Sequence, residues 1–250
     1  MFSRRLLDTL SRARSVVAFT GAGISAESGV PTFRGSGGIW KKYRPEELAN
    51  LDAFLRNPEL VWEWYRARRQ VMSGIAPNAG HLALAAMERC FERFAVITQN
   101  IDNLHRRAGS RTIYELHGNI ERNYCIGCRA QYVSEVLPGT EGAPRCPACN
   151  GLIRPDVVWF GELLPSDEWD ASLSAAEGSD VFLSIGTSAV VYPAASLPRA
   201  ARRSGAYVVE INIEPTDLSD QADEVILGRS GEVLPELLER ITTIQKGTPA

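Results

Sequence analysis

Val16-Val17-Ala18-Phe19-Thr20, followed by Gly21-Ala22-Gly23-Ile24-Ser25-Ala26-Glu27-Ser28-Gly29, is the stretch on which the reading of the chain depends. Five mostly apolar, partly β-branched residues read as a buried strand that stops at glycine. Gly21-x-Gly23-x-x-Ala26 then has the spacing of a dinucleotide-binding turn. Glycines there let the backbone bend sharply and approach a pyrophosphate, whose charge suits the free N–H groups of a helix N-terminus. A plain tight turn between strand and helix has the same appearance.

The residues after the turn separate it from a dehydrogenase. A nicotinamide dehydrogenase needs a second strand ending in Asp or Glu roughly 20 residues on, to hold the adenosine ribose. Here the chain runs Pro31-Thr32-Phe33-Arg34-Gly35-Ser36-Gly37-Gly38-Ile39-Trp40, with no β-periodic run behind it. A Gly/Pro segment of this length reads as a functional lid. Glu46 and Glu47 fall in a polar, helix-like stretch and make poor ribose ligands.

Across 250 residues, 44% hydrophobic and 23% charged, the chain can bury the core of an ordinary soluble globular protein. A formal net charge of −3 gives no electrostatic case for nucleic acid or an anionic membrane as partner. No run approaches the roughly 18 apolar residues of a membrane span. Residues 3 to 13 read as an amphipathic helix rather than a secretory signal, so the expected compartment is the cytoplasm.

Pro45-Glu46-Glu47-Leu48 reads as a first helical turn, and Asn57-Pro58 opens a helix through about Met72. On that helix Trp and Tyr could face a core while the arginines are solvated. Spacing offers a sharper reading: Tyr65 and Arg68, at i and i+3, share a face, and a phenol beside a guanidinium makes a fork for a carboxylate. A further helix runs from Pro77 to about Arg93, with His81 at its start as a ligand or, alternatively, a capping and packing residue, and with Cys90 as a buried helical thiol.

Phe94 to Thr98 is a second buried strand, and it ends in Gln99-Asn100-Ile101-Asp102-Asn103. A helix cap explains one polar residue there, whereas four at a strand's carboxyl end are placed to read a ligand. Thr112 to Leu116 is a third strand leading into His117-Gly118, where an imidazole with a pKa of about 6.5 suits a general base. Two C-x-x-C knuckles come next, Cys125/Cys128 and Cys146/Cys149, separated by the 17 residues from 129 to 145. That pattern matches a four-thiolate zinc site with no open position for water, hence structural. Val157 to Gly161 reads as extended. Strands are expected over residues 180–185, ending in Gly186-Thr187-Ser188, over 206–211, ending in Asn212-Ile213-Glu214, and over 222–227, before a final helix to about Ile244.

Taken together, Gly21-Ala22-Gly23-Ile24-Ser25 with Pro31-Thr32-Phe33-Arg34, Thr98-Gln99-Asn100-Ile101-Asp102, His117-Gly118, the paired knuckles and Gly186-Thr187-Ser188 resemble the sirtuins, NAD-dependent protein lysine deacylases. The resemblance covers nearly the whole chain in the family's order. Tyr65-x-x-Arg68 is similar to the family's class III, whose members remove succinyl and malonyl groups as well as acetyl. The fold implied is α/β. A Rossmann-like parallel-sheet domain (1–40, 81–118 and 161–250) would carry a smaller domain made of a helical insertion (41–80) and a zinc-binding module (119–160).

The reaction implied is transfer rather than hydride exchange. The acyl oxygen of a modified lysine attacks the ribose carbon that bears nicotinamide, and His117 then activates a ribose hydroxyl. The products would be free lysine, nicotinamide and O-acyl-ADP-ribose. The resemblance gives Asn100 and Asp102 to catalysis beside His117. Gly21, Ala22, Gly23, Ala26, Phe33, Arg34, Trp40, Gln99, Asn100, Ile101, Asp102, Gly186, Thr187, Ser188, Asn212, Ile213, Glu214 and Ser230 would hold NAD. Tyr65, Arg68, Val158, Phe160, Gly161, Glu162 and Val191 would meet acylated lysine in a protein or peptide, and Cys125, Cys128, Cys146 and Cys149 would bind zinc. The alternatives are a plain deacetylase, a mono-ADP-ribosyltransferase, or a non-catalytic module that binds ADP-ribose or acyl-lysine.

Overall fold

The computed structural model describes residues 2–30, 48–133 and 142–247. The expected lid with Phe33, Arg34 and Trp40 lies outside the described residues, as do Glu46 and Glu47.

Helix α1 (Arg4–Arg12) starts where the Ser3 hydroxyl accepts from the Leu6 N–H, and it buries Leu6 and Leu10. Strand β1 (Ser15–Thr20) is buried at every position, as a central parallel strand covered on both faces must be. It runs through Gly21 into the short helix α2 (Ala22–Ala26). Helices α3 (Leu51–Arg56) and α4 (Pro58–Ser73) are capped by Asn50 and Asn57. Helix α5 (Ala79–Met87) opens on Asn78.

Strand β2 (Arg93–Thr98), helix α6 (Leu104–Ala108) and strand β3 (Ile113–Glu115) complete the first half of the main sheet. Three antiparallel strands come next: β4 (Gly118–Cys125), β5 (Gln131–Val133) and β6 (Ile153–Val157). Helix α7 (Ser166–Glu177), β7 (Val181–Ile185), α8 (Leu197–Arg203), β8 (Tyr207–Asn212), β9 (Glu224–Leu227) and α9 (Ser230–Gln245) return the chain to the main sheet.

The main sheet has the order β3-β2-β1-β7-β8-β9, parallel throughout, and the small one β5-β4-β6. Side-chain alternation builds two cores. Val16 and Ala18 face Leu6, Leu10, Leu84, Met87, Leu234 and Leu237, while Val17 and Phe19 face Phe182, Ala176, Leu197 and Ala201. A third core joins helices α3 and α4 to the small sheet through Phe54, Trp62, Tyr65, Ile120, Cys125, Ile153 and Trp159.

Three local expectations need correction. The helix expected to reach Arg93 stops at Met87, because the chain tightens into turns (Arg89 N–H to Ala86 O, 3.1 Å; Cys90 N–H to Met87 O, 2.8 Å) to enter β2 at Arg93. Cys90 is therefore a half-buried turn residue, not a buried helical one. The extended run expected through Gly161 ends at Val157, and Trp159–Glu162 closes a turn (Glu162 N–H to Trp159 O, 3.0 Å). Among the described residues no helix is long and apolar enough to cross a membrane.

Candidate active site

The strand order reverses between β1 and β7, which opens a crevice beyond the carboxyl ends of those strands. The turns after the two strands meet backbone to backbone there. Gly23 N–H donates to Gly186 O at 2.8 Å, and Gly186 has φ +57. A Cβ on Gly23 would lie 2.7 Å from Gly186 Cα, and one on Gly186 would lie 2.5 Å from the Ile24 nitrogen. Only glycine fits both requirements. Ala26, by contrast, ends the five-residue helix α2 exposed instead of packing that helix against β1.

Thr187 ties three strand ends together. Its Oγ1 accepts from Gln99 Nε2 at 2.9 Å, and its carbonyl accepts from Asn212 Nδ2 at 3.1 Å. Ser188, Ile213 and Glu214 are exposed beside this rim. Ser230 is buried and donates to Glu27 Oε1 at 2.9 Å. Bare main chain at two facing turns and amide and hydroxyl groups along the strand ends form a donor set that fits a dinucleotide.

Below the rim lies a buried polar cluster. Asn100 Nδ2 donates to Gly21 O (2.9 Å) and to Ser25 Oγ (3.2 Å). Asp102 accepts from Ser25 Oγ (2.6 Å) and from the Leu104 N–H (2.9 Å), so it caps α6 as well as joining the cluster. Burial raises its pKa, opposed by the Ser25 hydroxyl, the Leu104 N–H and the Arg68 charge. Ile101 is buried, and its carbonyl accepts from Ile120 N–H at the start of the small sheet.

His81 completes the capping box that Asn78 opens on α5. Its Nδ1 lies 3.4 Å from the Asn78 N–H, and its Nε2 lies 3.4 Å from Ser25 Oγ. Burial pushes its pKa down to about 4. Ser25 spends its one proton on Asp102, so Nε2 of a neutral His81 is the donor toward it.

His117 stands at the carboxyl end of β3, its Nδ1 2.9 Å from the Gln99 carbonyl oxygen. A carbonyl only accepts, so Nδ1 carries the hydrogen and Nε2 of the neutral ring keeps its lone pair. Burial lowers the His117 pKa, and the Gln99 carbonyl partly opposes it. The imidazole is therefore neutral at neutral pH with a defined basic atom.

Helix α4 supplies the side chains of the small domain. Trp62, Trp64 and Tyr65 are buried, but the arginines are not simply solvated. Arg66 donates to Gly142 O (2.5 Å), and Arg69 donates to Ile120 O (2.6 Å) and Asn123 Oδ1 (2.5 Å), binding α4 to the small sheet. Arg68 lies 4.7 Å over the Trp64 ring and 5.8 Å over Tyr65. Its Nε is enclosed without a hydrogen-bond partner, and among the described residues it forms no ion pair. Tyr65 Oη accepts from Trp159 Nε1 at 2.9 Å.

The Trp159–Glu162 turn lies beside the end of β3, where Val158 N–H donates to His117 O at 3.0 Å. Phe160 is 58% exposed and Val191 39%, with Leu163 and Tyr192 also exposed, so an apolar surface flanks the crevice. Gly161 has φ +86. The Glu162 carboxylate is committed to Arg154 (2.5 and 2.9 Å) and to the Trp159 N–H (2.8 Å), which leaves only its main chain to meet a peptide.

The four cysteine sulfurs lie within 4.8 Å of one another, with Cys125–Cys149 at 3.4 Å and Cys128–Cys146 at 3.5 Å. A tetrahedral ion about 2.3 Å from each sulfur needs them about 3.8 Å apart, so the set fits zinc. Gly127 N–H points to Cys125 Sγ (3.3 Å), and Tyr132 Oη lies 3.1 Å from Cys146 Sγ.

Some residues of the cluster carried no signal in the sequence. Thr20 Oγ1 donates to Thr98 Oγ1 across β1 and β2 (2.9 Å) and lies 2.9 Å from His105 Nε2. Thr98 Oγ1 in turn accepts from the Asn100 N–H at 3.1 Å, so a buried threonine ladder holds Asn100. Ser25 had a signal, its position inside the glycine turn. The threonines read as ordinary strand residues until the register pairs them.

The model of the Sir2 family matches residues 21–193. The chain is 54% identical over 246 residues to NAD-dependent protein deacylase 2 of Pyrobaculum aerophilum, which spans 97% of this chain and 98% of that one. A mutant Sir2 homologue in complex with ADP-ribose superposes with a TM-score of 0.94 at 44% identity, covering 98% of each chain. A complex of a Sir2 homologue with NAD gives 0.90 at 44% identity, covering 100% of this chain and 96% of the other.

Proposed function

Because the chain belongs to the Sir2 family and is an NAD-dependent protein deacylase, we propose that it acts preferentially on lysines carrying acidic acyl groups, succinyl and malonyl. The observation that carries this reading is the guanidinium of Arg68, enclosed at Nε and free of any ion pair among the described residues, beside a phenol whose proton meets no acceptor among those residues. Burial lowers the Arg68 pKa, with Tyr65 and Asp102 opposing. An anion arriving at such a cation recovers the interaction energy that burial costs it. An acetyl group offers no such charge.

The roles of individual residues belong to the same proposal. NAD, when bound, supplies a ribose carbon whose bond to nicotinamide can be broken. Gly21, Ala22, Gly23, Gly186, Thr187 and Ser188 approach its phosphates with main chain and hydroxyl groups. Gln99, Asn212, Ile213, Glu214 and Ser230 hold the sugars and the adenine end. Ser25 and the threonine ladder orient Asn100 and Asp102, and His117 takes up a proton at Nε2. The exposed turn that carries Val158, Phe160, Gly161 and Glu162, together with Val191, receives the substrate peptide, with Phe160 and Val191 offering apolar surface and the turn its main-chain carbonyls. The preformed orientation of these polar groups favours the charge that develops on the ribose. The division into a nucleotide-binding domain, a helical insertion and a zinc module is the frame for this assignment.

Arg68→Met tests the reading. A charge-assisted contact is worth roughly 1.5–3 kcal/mol, so kcat/KM on a succinyl-lysine peptide should fall on the order of tenfold to a hundredfold. Activity on the matching acetyl-lysine peptide should change much less. Equal loss on both peptides would make Arg68 a structural residue and leave a plain deacetylase.

A further inference from the structure

We propose that Trp159 is a specificity-positioning residue, whose indole N–H fixes the Tyr65 hydroxyl so that the phenol proton is left for the acyl group of the substrate. This rests on the acidic-acyl reading and extends it to a residue outside the Tyr65/Arg68 pair. The two aromatic residues are 94 positions apart, and each is almost wholly buried (Trp159 2% exposed, Tyr65 1%). A phenol oxygen can accept one bond and donate one. With Trp159 Nε1 occupying the acceptor side at 2.9 Å, the hydroxyl cannot turn its proton toward the indole, which has no acceptor there. Burial raises the phenol's pKa, with Arg68 and then the Trp159 N–H opposing, so Tyr65 remains a neutral donor.

The indole is held on every side. The Arg154 guanidinium, itself 2% exposed, lies 3.4 Å over its ring, and Phe54 packs at 5.2 Å. Glu162 anchors the same segment by accepting from the Trp159 main-chain N–H (2.8 Å) and from both Nη atoms of Arg154 (2.5 and 2.9 Å), while Arg154 Nη2 also donates to Val157 O (2.8 Å). Swinging the indole would take its ring face away from the enclosed Arg154 guanidinium, which Glu162 holds in place. Tyr65 is steadied from its other side by the edge of Trp64, at 4.8 Å and 82°. The turn assigned to the peptide and the helix assigned to the acyl group are thus joined through one indole hydrogen bond. A Trp that merely filled space would keep its packing without that bond.

Trp159→Phe keeps an aromatic ring against Phe54 and Arg154 and deletes the N–H. The succinyl-to-acetyl ratio of kcat/KM should fall about threefold to tenfold, the worth of one neutral hydrogen bond, and the loss should appear in KM. In a Tyr65→Phe background the same substitution should leave that ratio where Tyr65→Phe alone has put it, because the two act through one contact. Equal loss on both peptides, or an effect on the ratio that adds in full in the Tyr65→Phe background, overturns the inference. Should Trp159→Phe fail to fold, the Trp159 indole proton resonance of the native chain supplies the test. It should move upfield in Tyr65→Phe, and an unmoved resonance overturns the inference. The arms also separate the two ideas. If Arg68→Met leaves the ratio unchanged, the acidic-acyl reading fails; if Arg68→Met lowers it and Trp159→Phe does not, only the role of Trp159 fails.

Discussion

Replacing His117 by alanine should lower deacylation at neutral pH by about a hundredfold to ten-thousandfold, the range of a positioned general base. The expectation comes from the tautomer. The Gln99 carbonyl takes the hydrogen of Nδ1 at 2.9 Å, so the basic electron pair is at Nε2, and a carbonyl at that distance also stops the ring from flipping. Burial lowers the pKa of the ring, the Gln99 carbonyl opposing, so the neutral form persists below the ordinary value of about 6.5. Activity that needs neutral His117 is present above its folded-state pKa and is lost as pH falls through it, so the acid limb of kcat/KM should lie below about 6.5. His117→Ala should flatten that limb along with the loss of rate, while peptide and NAD affinities measured by calorimetry change only severalfold. A variant that keeps wild-type kcat/KM, or a wild-type limb centred above 6.5, would assign the base elsewhere.

The parts of this site that were legible in the sequence are those where local chemistry has few uses. A buried strand ending in Gly21-x-Gly23, a strand ending in Gln99-Asn100-Ile101-Asp102, and two C-x-x-C pairs each restrict the backbone or the ligand so tightly that spacing alone is informative. What stayed hidden depends on pairings far apart in the chain. Thr20 and Thr98 face each other because β1 and β2 share a register, and nothing local to either threonine records it. Arg66 and Arg69 read as surface charges because a guanidinium on a helix normally is one; their acceptors, Gly142 O, Ile120 O and Asn123 Oδ1, belong to a sheet built much later in the chain. Likewise the apolar pattern continues past Met87 to Phe91, so periodicity carries the helix too far. The need to enter β2 at Arg93 ends it instead.

Removing zinc should have the largest effect on stability. The small sheet contributes three short strands, whose own buried apolar side chains are Ile120, Ile153 and Val157 beside Cys125 and Cys146, and helices α3 and α4 and the Trp159 turn supply most of the rest of the core. The sheet's own side chains thus bury little apolar surface, whereas structural zinc in zinc-finger peptides contributes roughly 10–16 kcal/mol at neutral pH. That matches or exceeds the total stability of an ordinary domain, about 5–15 kcal/mol. Cys146→Ser, at one of the two buried sulfurs, should therefore abolish stoichiometric zinc in metal analysis and expose residues 118–157 to limited proteolysis. The parallel sheet has its own two cores and should survive as a resistant fragment. Deacylation should be lost too, although no thiolate meets the substrate, because Trp62 Nε1 rests on Ile153 O (2.8 Å) and Tyr65 on Trp159. Once the small sheet loosens, the helix that carries Tyr65 and Arg68 loses the surface that orients it. Chelation of the native protein should reproduce the same order of events, with zinc release preceding or accompanying loss of succinyl-lysine turnover. A zinc-free protein with unchanged Tm, protease resistance and turnover would show that the aromatic core of the small domain holds together without the metal.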